Sequence, residues 1–265
     1  MLTPIKIDNR MNGFLGQPAG GGKRPVVIHL HERYGIVKHT TDLGEKFVEA
    51  GYVTIVPDLF SRFTGDRDKL AKGDDHCDLD DGEVLNDIDA VAEYLREVPQ
   101  ADSNLIAISG VCQTGRQPIL MAAKRDYIKA VVMLYGAIYD ADWKSHPQRP
   151  DPIDKLMQEM PCPMVAVFGE LDNLIPLRNI LRMVSVLAEA KKSFDVRVYA
   201  DAPHGFLNDT MPGRYRAAQT ATAWGQITAF LDAVFTEKYP KDRAVWRFEC
   251  DSSMDYDFTK MKRWE

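Results

Sequence analysis

The sequence predicts an α/β fold, a mostly parallel central sheet with helices on both faces. Short apolar runs recur at 25–30, 52–56, 105–108, 130–134, 163–168 and 194–199. The first five are continuous rather than alternating, as strands buried on both faces require, and the run at 194–199 alternates like a strand. Segments with helical spacing stand between them, and strands that alternate with helices imply a parallel sheet. Charged and chemically reactive residues also gather just after the strand ends, where sites in such sheets lie.

The elements follow in order. Residues 1–24 are polar and glycine-rich, with a turn or loop at 18–23 and weak strands flanking it. The run Pro25 to Leu30 is the first buried strand and leads into His31-Glu32-Arg33-Tyr34-Gly35. Thr41 to Ala50 reads as a helix with Leu43, Phe47 and Val48 on one face, stopped by Gly51. The strand from Tyr52 to Val56 ends in Pro57-Asp58-Leu59-Phe60-Ser61-Arg62.

Residues 64–82 form an acidic loop running into a helix. Asp80 and Glu83 are spaced as a capping box, and Val84, Leu85, Ile88, Val91, Ala92 and Leu95 recur at helical spacing. After the strand at 105–108 comes a sharp turn, then a helix-like run from Ile119 to Arg125, with Pro118 in its first turn, where proline is tolerated. Residues 139–155 are rich in Asp and Pro and read as a loop walling a pocket. Amphipathic helices are expected over Leu177 to Ala190 and Tyr215 to Phe235.

Neither a repeat nor a linker divides residues 1–240, which are expected to form one domain. The extension at 241–265 carries Trp246, Phe248, Tyr256, Phe258 and Trp264 among charges. Disordered tails are poor in aromatics. This one is expected to dock on its own core or on a second subunit, which would make it an oligomer contact.

Bulk composition narrows the function classes. The net charge of −6 over 265 residues leaves no general footprint for nucleic acid. No apolar run approaches the roughly 18 residues of a membrane span. The start, Met1 to Lys6, lacks a signal-peptide core, so a cytoplasmic location is expected. Cys77, Cys112, Cys162 and Cys250 are scattered without a pairing pattern and are read as free thiols. No cofactor or metal is called for. His29 and His31 lack an acid or cysteine spaced to complete a site, and 74–78 reads as an acidic loop.

The reactive stretch is Gly110-Val111-Cys112-Gln113-Thr114-Gly115-Arg116, a strand, a turn and a helix with a thiol at the apex. In a nucleophile elbow, small residues flank the nucleophile so that neighbouring backbones can approach closely. Most such elbows read Gly-x-Ser-x-Gly; here cysteine replaces serine and Thr114 stands where the second glycine is usual. A buried structural cysteine beside a turn would account for this stretch taken alone. Its partners decide: an elbow expects an acid and then a histidine further along the chain. Asp172 follows the strand at 163–168, and His204 follows the strand at 194–199. His204 would be the base or ion-pair partner of Cys112, and Asp172 would orient the imidazole. The backbone N–H of Gln113 is the standard oxyanion donor, with a second expected near Arg33.

With those segments assembled, the chain resembles the dienelactone hydrolase (carboxymethylenebutenolidase) family of α/β-hydrolases. The likeness rests on 31–35, 57–62, 110–116, Gly169-Glu170-Leu171-Asp172 through Pro176, and 204–210, and spans roughly residues 12 to 235. It implies a Cys112–His204–Asp172 triad cleaving a lactone or small carboxylic ester through an acyl-enzyme. It implies that Glu32 interacts with the resting thiol and controls when the thiolate forms, and that the Arg33 backbone completes the oxyanion hole. Arg62 matches an arginine that binds the substrate carboxylate. A second such arginine is replaced here by Asn208, which weakens the case for dienelactone itself. A general carboxylesterase or thioesterase with the same triad is the near alternative, and a non-catalytic ligand-binding member the distant one.

Overall fold

The computed structural model describes residues 1–251. The chain opens with β1 (Thr3–Lys6), β2 (Asn12–Gly16) and β3 (Arg24–His29), followed by α1 (Lys38–Glu49) and β4 (Val53–Pro57). Next come α2 (Arg67–Lys72), α3 (Asp81–Arg96), β5 (Ala101–Val111), α4 (Arg116–Lys124) and β6 (Ile128–Leu134). The last third holds α5 (Ile153–Glu159), β7 (Met164–Gly169), α6 (Leu177–Glu189), β8 (Phe194–Tyr199), α7 (Ala217–Phe235) and β9 (Trp246–Cys250).

The strands form one nine-stranded sheet in the order β1-β2-β4-β3-β5-β6-β7-β8-β9. β1 pairs antiparallel with β2, and β2 antiparallel with β4. All pairings from β4 to β9 are parallel. Successive side chains of a strand point to opposite faces, so each central strand feeds two cores. Val26, Ile28, Ile106, Ile108, Val131 and Met133 pack with Ile88 of α3, Leu120 of α4, Leu156 of α5 and Ile180 of α6. Their neighbours Val27, Ala107, Ala130, Val132, Val165 and Val167 pack with Phe47 of α1 and with Ile227 and Leu231 of α7. This is why the strands read as unbroken apolar runs. No helix among the described residues is long and apolar enough to cross a membrane.

The structure departs from the sequence reading in three places. α2 lies inside the polar stretch at 64–82, started by the Asp66 side chain, which accepts from Asp68 and Lys69 N–H, and stopped by Gly73 at φ 81°. The stretch at 139–155 holds a 3-10 turn at Asp140–Trp143 and the start of α5, which is seven residues long and so too short to show a period. The aromatic extension supplies β9, parallel to β8 with Phe194 opposite Trp246 and Val198 opposite Cys250. Trp246 Nε1 donates to Lys192 O at 3.0 Å, and Arg197 reaches Glu249 and Asp251. The described part of the tail therefore docks on its own core. Tyr256, Phe258 and Trp264 lie outside the described residues.

Candidate active site

The site is assembled at the carboxyl ends of β3, β5, β7 and β8. Cys112 directly follows β5 and has φ 50°, in the left-handed region that a non-glycine residue enters only when its surroundings force it. The forcing contacts are visible. A β-carbon on Gly110 would meet Thr114 O at 2.1 Å, and one on Gly115 would meet Gly136 Cα at 2.2 Å. Gly115, one place beyond the expected position, thus provides the close approach to the neighbouring strand end. Thr114 instead braces the turn through its side chain. Val111 N–H donates to its Oγ1 at 2.9 Å, and that hydroxyl donates to Val111 O at 3.0 Å.

Three side chains predicted from separate loops meet in a line. His204 Nε2 lies 3.1 Å from Cys112 Sγ, and His204 Nδ1 lies 2.7 Å from Asp172 Oδ2. The other Asp172 oxygen accepts the N–H groups of Leu174 at 2.8 Å and Ile175 at 2.9 Å. The carboxylate is therefore fixed before it touches the imidazole. Burial by itself disfavours the imidazolium, but the negative charges of Asp172 and of a Cys112 thiolate outweigh it and hold His204 well above the usual histidine range.

Glu32 is buried, and its Oε1 has no hydrogen-bond partner among the described residues. Burial pushes its carboxyl up to about 7, against the pull of His204, Arg214 and Arg33. The family resemblance implies a Glu32–thiol interaction; here the thiol faces His204 instead. His31, weighed and set aside as a metal ligand, holds the Glu32 loop in place. Its Nε2 accepts the Leu59 N–H at 3.0 Å, so its Nδ1 carries the proton and donates to Glu32 O at 2.9 Å. That bond ties the loop after β3 to the loop after β4.

The two expected oxyanion donors stand on the turn after β5 and on the loop after β3. Gln113 is the second residue of the helical turn begun by Cys112, so its N–H is one of the unpaired first-turn donors. Its side chain donates to Cys77 O at 2.8 Å, which anchors the acidic loop against the elbow. Arg33 follows Glu32, and its guanidinium donates to Gly73 O at 3.1 Å.

Arg62 is placed differently from what the sequence suggested. Its guanidinium grips Asp87 with two bonds of 2.5 and 2.7 Å and lies 3.5 Å from Glu83. It lines a hollow of about 350 Å³ with Phe63, Cys77 and Asp87, and neither Cys112 nor His204 lines that hollow. Its charge is already matched. Asn208 is buried, and its Oδ1 accepts from the backbone and hydroxyl of Thr210, so it builds the loop after His204.

Sequence reasoning missed Tyr135. It directly follows β6 at φ 37°, stands edge-on to His204 with ring centres 5.1 Å apart, and shares a 2.9 Å hydrogen bond with His39 Nε2. The only sequence cue was a tyrosine before glycine at the end of an apolar strand. A hollow of about 940 Å³ opens at the other end of the sheet, lined by Asn104, Ile128, Cys162 and Lys192. It borders the amino ends of the strands, and Cys112, Asp172 and His204 take no part in its lining.

A parallel sheet in this order, with a strained elbow after β5, defines an α/β-hydrolase. Comparison with known proteins then narrows the class. The family model for the dienelactone hydrolase family matches residues 11–235. A protein of Escherichia coli O157:H7 named "Putative carboxymethylenebutenolidase" is 31% identical over 211 residues, covering 78% of this chain and 76% of its own. One of the same name from Methylorubrum extorquens is 28% identical over 225 residues, covering 83% and 76%. The crystal structure titled "Putative Dienelactone Hydrolase" from Klebsiella pneumoniae superposes with a TM-score of 0.77 at 25% identity, covering 88% of this chain and 98% of that one. The chain belongs to the dienelactone hydrolase family, and it is a hydrolase of that family.

Proposed function

We propose that this protein is a cysteine-dependent hydrolase that opens a lactone or cleaves a small carboxylic ester through a Cys112 acyl-enzyme. The observation that carries the reading is the Cys112–His204–Asp172 line, with contacts of 3.1 and 2.7 Å. It sits at a strained elbow whose helix turn leaves N–H groups free.

The chemistry follows from that line. The Cys112 thiol gives its proton to His204 Nε2, and the imidazolium is stabilised by Asp172. The thiolate attacks the substrate carbonyl carbon, and the N–H groups of Gln113 and Arg33 receive the oxyanion. Collapse breaks the carbon–oxygen bond of the ester while His204 returns the proton to the leaving alkoxide. In a lactone that alcohol stays attached to the acyl group. His204 then takes a proton from water, the hydroxide attacks the thioester, and the acid departs with the thiol restored. No metal or organic cofactor enters these steps. All four cysteines are free among the described residues, which fits a reducing compartment such as the cytoplasm.

The test is hydrolysis of a dienelactone and of a neutral aryl ester by the unaltered protein and by Cys112→Ala, with intact-protein mass spectrometry after rapid quenching. The expected result is turnover lost with the thiol and an acyl adduct on Cys112. Undiminished turnover by Cys112→Ala would overturn the reading.

A further inference from the structure

The two edges of the sheet are built differently. β1 is four residues long and carries Pro4 and Lys6, both of a kind that keeps an edge strand from pairing with another chain. β9, at the other edge, reads Trp246-Arg247-Phe248-Glu249-Cys250, with neither proline nor lysine, and is exposed along its whole length. Trp246 is 54% exposed and Phe248 37%, so both leave large apolar surface in water. Among the described residues no strand pairs with the outer edge of β9.

The backbone fixes which groups are left over. Phe194 N–H donates to Val245 O at 2.8 Å, and Asp251 N–H donates to Val198 O at 3.1 Å. Successive strand residues turn their N–H and C=O to opposite neighbours, so Arg247 and Glu249 bond inward to β8. The N–H and C=O of Trp246, Phe248 and Cys250 point outward and are open to another strand. The side chains divide in the same way between the two faces. Trp246, Phe248 and Cys250 stand opposite Phe194, Val196 and Val198 and continue their apolar rows. Arg247 and Glu249 stand opposite Asp195 and Arg197, with ion pairs of 3.3 and 3.1 Å.

We propose that the outer edge of β9 pairs antiparallel with β9 of a second copy of this chain, about a two-fold axis through Phe248. Outward groups must meet outward groups, and charge then selects the register. A centre at residue 247 sets Arg247 against its own copy, and a centre at 249 does the same to Glu249. A centre at 246 or 250 pairs little of the strand. Centred on Phe248, all five residues of β9 pair, with Arg247 facing Glu249 of the second copy. Each charged row then runs Asp195, Arg247, Glu249, Arg197 across the junction with alternating sign, and opposite charges placed opposite stabilise a strand pair where like charges destabilise it. On the other face Trp246 meets Cys250 of the second copy and the two Phe248 side chains meet each other. The same patch serves both copies, as a two-fold contact requires. The carboxyl ends of the two sheets point opposite ways, so both sites stay open. The pairing rests on the sheet edge alone and stands apart from the hydrolase reading.

Sedimentation velocity on the full chain should show a concentration-dependent species of twice the 29.9 kDa chain mass. Arg247→Glu and Glu249→Arg each set like charges opposite one another in both junction rows. Each alone should weaken self-association about 100-fold or more. Mixed in equal amounts, the two variants should form a heterodimer within about tenfold of the unaltered affinity, because every junction row again pairs opposite signs. Phe248→Cys in a Cys250→Ser protein leaves the charges untouched and tests the register. Mild oxidation should link two copies through residue 248, while the Cys250→Ser parent should give no covalent dimer.

An unaltered chain that stays monomeric at every concentration would overturn the proposal. So would single charge variants that dimerise as well as the unaltered chain, or a mixture of folded variants that stays monomeric. Covalent dimer no more abundant with Phe248→Cys than in its parent would overturn it as well. Where circular dichroism shows a charge variant to be unfolded, the Phe248→Cys result decides.

Discussion

Thr114 locks the elbow to Val111 from both sides: its hydroxyl accepts the Val111 N–H at 2.9 Å and donates to the Val111 carbonyl at 3.0 Å. Thr114 is fully buried, so water cannot replace either bond. The turn that throws Cys112 to φ 50° is therefore held by a side chain at the position where most elbows have glycine.

Replacing Thr114 by valine keeps the shape and removes the hydroxyl. It leaves a buried N–H unpaired, which costs about 1–3 kcal/mol. Thr114→Val should lower the denaturation midpoint and reduce kcat, while Thr114→Ser should restore most of both. Urea denaturation with parallel ester kinetics would check it. Unchanged midpoints for Thr114→Val would show that the elbow is held by its glycine contacts alone.

Asp172 separates orientation from charge. In Asp172→Asn, the side-chain oxygen can still accept the Leu174 and Ile175 N–H groups, so the loop stays built. The amide then faces His204 Nδ1, the charge that stabilises the imidazolium is gone, and the wrong tautomer is favoured. In an analogous serine triad this change lowers kcat by about 10⁴. A loss of about 10³ or more in kcat, with a near-native thermal transition, is the expected outcome. A loss under about tenfold would show that Asp172 does not act through His204.

Much of this was legible in the sequence because its causes are local. Strands such as Val26–Ile28 and Val131–Met133 are buried on both faces, so they leave unbroken apolar runs. The residues now seen in line could be picked out by chain order and by their position after strands. What escaped notice depends on distant pairing. Nothing in 57–62 reveals that Arg62 would meet Asp87 on α3, since that contact exists only once the sheet has brought the two together. β9 is exposed along its whole length and has no apolar run to betray it.

Glu32 makes stability depend on pH. Its carboxyl is raised from 4.5 to about 7 by burial, so the folded protein binds a proton that the unfolded chain releases. Stability from this group is fully present below about 4.5, falls as pH rises to about 7, and is level above that. The shift corresponds to a loss on the order of 3 kcal/mol. Glu32→Gln removes the effect, so the variant should gain stability over the unaltered protein at pH 8 and match it near pH 4.5. Guanidinium titrations at several pH values would measure the difference. A constant gap across the range would mean that Glu32 does not titrate between the two states.

The elbow helix is anchored by a buried ion pair. Arg116, the first residue of α4, donates to Asp81 at 2.7 and 3.2 Å and to Asp151 O at 2.5 Å. Arg116 is 1% exposed and Asp81 3%, so neither charge has water to fall back on. The pair ties the amino end of α3 to the turn that carries Cys112. Removing one partner strands a buried charge, which costs about 3–5 kcal/mol, more than a surface pair contributes. Asp81→Ala should therefore lower stability by that amount and depress turnover through misplacement of the thiol. The double variant Asp81→Leu with Arg116→Met should recover much of the stability, because it leaves no unpaired charge. If stability returns in the double variant while turnover stays low, the pair positions the elbow as well as stabilising the fold. If both return together, its role is stability alone.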